Sequence, residues 1–145
     1  MNNGKYKIID FKEVNFEFKN IEYYDEITNQ SNLNIELGFT PSYDKQKVSI
    51  LFHIRLSLNV DDNIKNQFLH ADFVSIFHYN GKDTDKIIMS KEIYNEILQL
   101  TLNLSKGYLL SRVHILNLSK IILSLNTPQN YIESLSYFNN NEVRI

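Results

Sequence analysis

Hydrophobic residues fall on every second position between Val48 and Val60: Val48, Ile50, Phe52, Ile54, Leu56, Leu58 and Val60 alternate with Ser49, Leu51, His53, Arg55, Ser57 and Asn59. Successive side chains of a strand point to opposite faces, so Lys47–Val60 predicts a strand with one wholly apolar face and one mixed face. Leu33, Ile35, Leu37 and Phe39 alternate with Asn32, Asn34, Glu36 and Gly38. They predict a shorter, half-buried strand that ends in a turn at Pro41–Lys45. Upstream, Tyr6–Asn20 carries Ile9 and Phe11 in one phase and Val14, Phe16 and Phe18 in the other. The phase change near Lys12–Glu13 predicts a bulge, where one extra residue flips the faces. After a turn at Asp61–Lys65, Phe68–Tyr79 predicts a fourth strand closed by Asn80-Gly81. Short polar turns between the strands favour an antiparallel meander over a parallel sheet, which needs helical crossovers.

The period then changes. Ser90 predicts an N-cap, and Glu92 lies in the first turn, where the helix dipole favours negative charge. Ile93, Ile97, Leu98, Leu100, Leu104, Tyr108, Leu109, Val113 and Leu116 fit a long helix. Asn126-Thr127-Pro128 breaks the chain, and Tyr131–Phe138 predicts a short C-terminal helix. Strands followed by helices imply an α+β fold: a four-stranded antiparallel sheet with a long and a short helix packed on one face. The length suits a single domain over residues 1–145 that ends in a short polar tail, 139–145.

The helices cover only one sheet face. Leu51 lies on the other, and the fourth strand is apolar in both phases, with Leu69, Ala71, Phe73 and Phe77 in one and Phe68, Val74 and Ile76 in the other. A second face of that character calls for another subunit or a ligand, so self-association is expected.

Composition then narrows the function. A net charge of −2 with no Lys/Arg cluster argues against nucleic acid, whose binding depends on neutralising phosphates. The chain has no cysteine, which excludes disulfides, thiolate metal sites and cysteine catalysis. The opening MNNGKYKIID lacks the apolar core of a signal peptide, and no apolar run is long enough for membrane insertion, so a cytoplasmic protein is expected. Of the histidines, His70 and His78 share a strand face but stand about 26 Å apart, too far to ligate one metal. His70 and Asp72 are placed to pair, as structural His–Asp contacts commonly do. No nucleophile elbow, phosphate loop, zinc-binding helix or dinucleotide fingerprint is present, and the four glycines leave no phosphate cradle. No catalytic residue, metal site or cofactor is expected, and the chain does not read as an enzyme.

The order and content of these elements resemble the SecB-like chaperone family over Ile8–Leu135. The family opens with a strand similar to K-D-V-S-F-E-x-P-N, and Lys12-Glu13-Val14-Asn15-Phe16-Glu17-Phe18-Lys19-Asn20 stands here. A short V-x-L-x-L strand is matched by Leu33, Ile35 and Leu37. The long third strand and a fourth similar to G-I-F-x-I correspond to Val48–Val60 and Asp72-Phe73-Val74-Ser75-Ile76-Phe77. Lys106-Gly107-Tyr108-Leu109 stands where the family helix carries R-G-I-L. Leu125-Asn126-Thr127-Pro128-Gln129-Asn130-Tyr131-Ile132-Glu133-Ser134-Leu135 resembles L-N-L-A-P-V-N-F-D-A-L.

The resemblance implies a homotetrameric holdase that binds unfolded polypeptides in apolar surface grooves without ATP. It assigns client binding to Leu33, Ile35 and Leu37 on the second strand and to Ile132, Leu135, Tyr137 and Phe138 at the C-terminal helix. Tyr23 and Tyr24, on the connection before the second strand, join them by location. Two client classes follow from the family: preproteins in protein transport, and the antitoxin of a toxin–antitoxin system. Export members are strongly acidic, whereas this chain is nearly neutral and ends in Asn139-Asn140-Asn141-Glu142-Val143-Arg144-Ile145. The expectation therefore leans to the antitoxin. The alternative is a small-molecule carrier, with sheet and helix enclosing an apolar pocket.

Overall fold

The computed structural model describes residues 6–19, 33–44, 47–61, 64–79, 88–113, 116–126, 137–139 and 142–144. The fold is α+β. Strands β1 (Tyr6–Phe18), β2 (Leu33–Asp44), β3 (Lys47–Asp61) and β4 (Ile64–Tyr79) form an antiparallel sheet in the order β1-β4-β3-β2. The expected meander holds for β2, β3 and β4, whose connections are two residues long. Instead of pairing with β2, β1 lies beside β4 at the far edge of the sheet. The arrangement is a Greek key.

Each strand's pattern shows up in its register, with two informative departures. In β1 the ladder skips Val14, between Glu13 and Asn15, and also Ile9, between Ile8 and Asp10. The bulge expected near Lys12–Glu13 is therefore at Val14, and a second one precedes it. These bulges turn Ile9 and Val14 outward, 51% and 59% exposed, while Phe11, Phe16 and Phe18 all pack on the core. In β4 the ladder with β3 skips Phe68, which swings into the core with Leu69, Ala71, Phe73 and Phe77. Phe68 thus leaves the phase of Val74 and Ile76 in which its position number placed it.

The expected turn at Pro41–Lys45 is shorter than predicted. Strand β2 runs through Pro41 to Asp44, which pairs with Lys47. Proline cannot donate to a ladder but is accommodated on an edge strand, and β2 is one.

Strand β5 (Ile88–Ser90) leads into α1 (Lys91–Arg112). The Ser90 hydroxyl accepts the Ile93 N–H at 3.2 Å, Glu92 sits in the first turn and Arg112 in the last. Ile93, Tyr94, Ile97, Leu98, Leu102 and Leu109 are buried against the sheet. Thr101 and Ser105 share that face, and each donates its hydroxyl to the carbonyl four residues back, at 2.8 Å. The helix stops at Arg112 rather than continuing through Leu116, and Val113 takes an extended backbone.

A second helix, α2, spans Leu116–Ser124. The short helix therefore precedes Asn126 rather than following it. Tyr137 and Phe138, expected to be helical, lie in strand β6 (Tyr137–Asn139), and the segment expected as a polar tail contains strand β7 (Glu142–Arg144). With β5 they form a three-stranded sheet in the order β5-β7-β6. Backbone pairing with β5, which side-chain periodicity does not report, draws the C-terminal residues into this sheet. No described helix is long and apolar enough to cross a membrane.

Candidate functional site

The helix-side face of β3 is closed. Val48, Ile50, Phe52, Ile54 and Leu56 are inaccessible to solvent, as the alternation predicts. Around them α1 is pinned to β1. Tyr6 donates its hydroxyl to Glu96 Oε2 at 2.7 Å, which pushes the phenol up to about 12, mainly because the neutral form is the donor. At the other end of α1, Arg112 lies 4.3 Å over the Phe16 ring and 3.3 Å from Glu13 Oε1.

Next to this closed region the cover thins. Leu33, Ile35 and Leu37 of β2 face Ile121, Ser124, Leu125 and Asn126 across a cleft of about 320 Å³. One wall is the helix-side face of the edge strand, because Leu33, Ile35 and Leu37 pair with Leu58, Leu56 and Ile54 and share their side. The other wall is α2, whose Leu118, Ile121 and Ile122, with Leu125 just beyond, bury one helical stripe. Lys106 of α1 donates to the Leu123 carbonyl at 3.3 Å, placing a cation at the C-terminus of α2 and holding that wall against α1. Leu33 and Leu37 are half-buried, and the cleft opens to solvent at Ile35, 39% exposed.

Chemically the cleft is apolar with a polar rim. The Ser124 hydroxyl donates to the Ile121 carbonyl at 2.7 Å, and no lining residue is ionisable. It can bind by burying apolar surface, and it holds no acid, base or activated nucleophile. The His70–Asp72 pair expected from sequence forms at 3.3 Å, but on the opposite sheet face. Among the described residues no group of three or more His, Asp or Glu is placed to hold a metal.

The structure thus brings Leu33, Ile35 and Leu37 together in one cleft. Tyr23, Tyr24, Ile132 and Leu135 lie outside the described residues, as do the side chains of Tyr137 and Phe138. The facing wall was missed by the sequence reading. Its signal was there, since Leu118, Ile121, Ile122 and Leu125 are spaced three, one and three apart, the stripe of a short amphipathic helix.

No family model and no curated protein matches this chain. Among solved structures, one similar chain is a SecB-like chaperone of Mycobacterium tuberculosis, in complex with a ChAD peptide from the HigA1 antitoxin. The chain resembles a SecB-like chaperone. The likeness covers 86% of this chain and 94% of that one, at 14% identity and a TM-score of 0.46.

Proposed function

We propose that this protein is an ATP-independent holdase, and that the β2–α2 cleft binds apolar segments of unfolded polypeptides. The observation that carries the reading is the cleft itself, an apolar surface left open along an edge strand beside a fully closed core. Each large apolar side chain that a client buries there contributes about 1.5–3 kcal/mol before ordering costs. A lining without ionisable groups suits a binder that tolerates many client sequences. The ordered resemblance of the sequence to SecB-like chaperones supports the same reading, and with it a cytoplasmic homotetramer. The exposed Ile8, Ile9 and Val14 on edge strand β1 offer apolar surface for such assembly. The near-neutral charge favours an antitoxin client over a preprotein. A small-molecule carrier would instead enclose its ligand, and this cleft is open at Ile35.

The test replaces Leu33, Ile35 and Leu37 together by serine. The expected result is a folded protein of unchanged oligomeric state that no longer suppresses aggregation of an unfolded client. A folded variant that still protects the client would overturn the cleft assignment, and an unfolded one would return these residues to the core.

A further inference from the structure

The sheet has a second broad face, turned away from the helices and the cleft, and the strand registers lay it out in rows. We infer that this face stacks on the same face of a second copy, about a twofold axis that runs across the strands. The contact leaves the clefts of both copies open, so it goes beyond the holdase reading and does not depend on it.

Each row takes one residue from β1, β4, β3 and β2 in turn. Asp10, Ile76, Ser49 and Ser42 form one row, and Lys12, Val74, Leu51 and Thr40 form the next. Ile76, Val74 and Leu51 adjoin one another there, and with the three hydroxyl residues they make an uncharged centre. None of these side chains is buried. The small residues of β2, and the His53 ring lying across Gly38 in the row beyond, keep the centre low enough for a second sheet to approach to about 10 Å.

The flanks of this centre differ in sign. On one side the adjoining row holds Lys7, His78 and Lys47, with Asp44 at its end. On the other side the adjoining row holds Asp72, and the row after it holds Glu17 and Glu36 with His70 and Arg55 between them.

A twofold axis across the strands, set between the two central rows, exchanges those rows between the copies. Val74 then lies over Ile76 of the second copy. Asp10 lies over Lys12 of the second copy, and Lys12 over its Asp10. Both residues are exposed, and among the described residues neither takes part in an ion pair. The lysine flank comes over the row of Asp72. A twofold axis along the strands instead keeps each row over itself and sets the lysine flank on the lysine flank. Charge complementarity therefore selects the transverse axis. Four strands about 4.8 Å apart and five rows about 6.8 Å apart cover about 600 Å² on each copy. The total of about 1,200 Å² stands at the lower end for specific interfaces, which suits reversible association.

The chain contains no cysteine, so one introduced thiol reports one position. Val74→Cys places it beside the axis, and Glu36→Cys places it at the far end of the same face. With a short bifunctional thiol reagent, the first full-length variant should give a crosslinked dimer and the second none. Adding Lys12→Asp to Val74→Cys opposes like charges across the contact. It should move crosslinking to about tenfold higher protein concentration. Adding Asp10→Lys as well restores opposite charges and should return crosslinking to its original concentration. Positions 10 and 12 are exposed, so circular dichroism should show an unchanged fold, and protection of an unfolded client should persist in every variant. Absence of the dimer from Val74→Cys, or equal crosslinking from both positions, would overturn the stacking and leave the holdase reading intact. A charge reversal without effect, or a double exchange that fails to recover, would overturn the transverse axis.

Discussion

Strands β2 and β3 carry the same alternation, lie side by side and send their apolar side chains to the same side of the sheet. Their fates differ. On β3 the core-facing Val48, Ile50, Phe52, Ile54 and Leu56 are sealed, whereas Ile35 of β2 is 39% exposed above an open cleft. Strand β3 is interior and has strands on both sides, while β2 is an edge strand faced by the short α2. Period two tells which face is apolar. What covers that face depends on where the topology places the strand.

The sharpest way to break this contrast is to truncate one side chain on each strand. Phe52→Ala should cost about 3–5 kcal/mol in a denaturant melt, the usual range for emptying a core Phe site. Ile35→Ala should cost no more than about 1 kcal/mol, since much of that side chain already meets water. Similar losses at the two sites would mean that β2 is ordinary core.

The pairing of the two strands supplies a smaller effect. On the face away from the helices the His53 ring lies across Gly38, so a Cβ there would run into it. Gly38→Ala should destabilise the protein through that collision. The coupling with His53→Ala in a double-mutant cycle should be about 0.5–1 kcal/mol. Additive effects would show that the ring swings aside at no cost.

On α1, Gly107 faces open space in a helix interior. Gly107→Ala should therefore raise stability by about 0.5–1 kcal/mol and leave client binding unchanged. Loss of client binding would tie α1 to the cleft in a way that the Lys106 contact alone does not.

The smallest effect is confined to alkaline pH. The hydrogen bond to Glu96 holds the Tyr6 phenol at about 12, above its ordinary value of about 10. The neutral phenol's contribution is fully present below pH 10 and is lost as pH rises through about 12. The stability difference between the wild type and Tyr6→Phe should shrink across that window. A difference independent of pH would place the Tyr6 contribution in its ring packing.

The sheet was largely legible in the sequence because each strand has one core-facing side, and that fixes the register. The Val14 bulge was legible too, from the phase change in β1. Phe68 was misplaced because the bulge that turns it inward forms only against β3. The order β1-β4-β3-β2 was missed because local pattern does not say which neighbour an edge strand chooses. For the cleft, the β2 wall could be read from alternation. The α2 wall was obscured because α1 ends at Arg112 with neither glycine nor proline to mark the stop, so two helices read as one. Strands β6 and β7 are set by backbone pairing with β5, and three-residue strands carry almost no periodic signal.

The central claim is that the apolar side chains of β2 are available to a polypeptide on one face only. A photo-crosslinking amino acid placed singly at Ile35 or at Glu36 tests it most directly, because these neighbours are both exposed and point to opposite faces. With an unfolded client present, the account predicts strong crosslinks from position 35 and background from position 36. Equal yields from the two positions, or background from both, would contradict it.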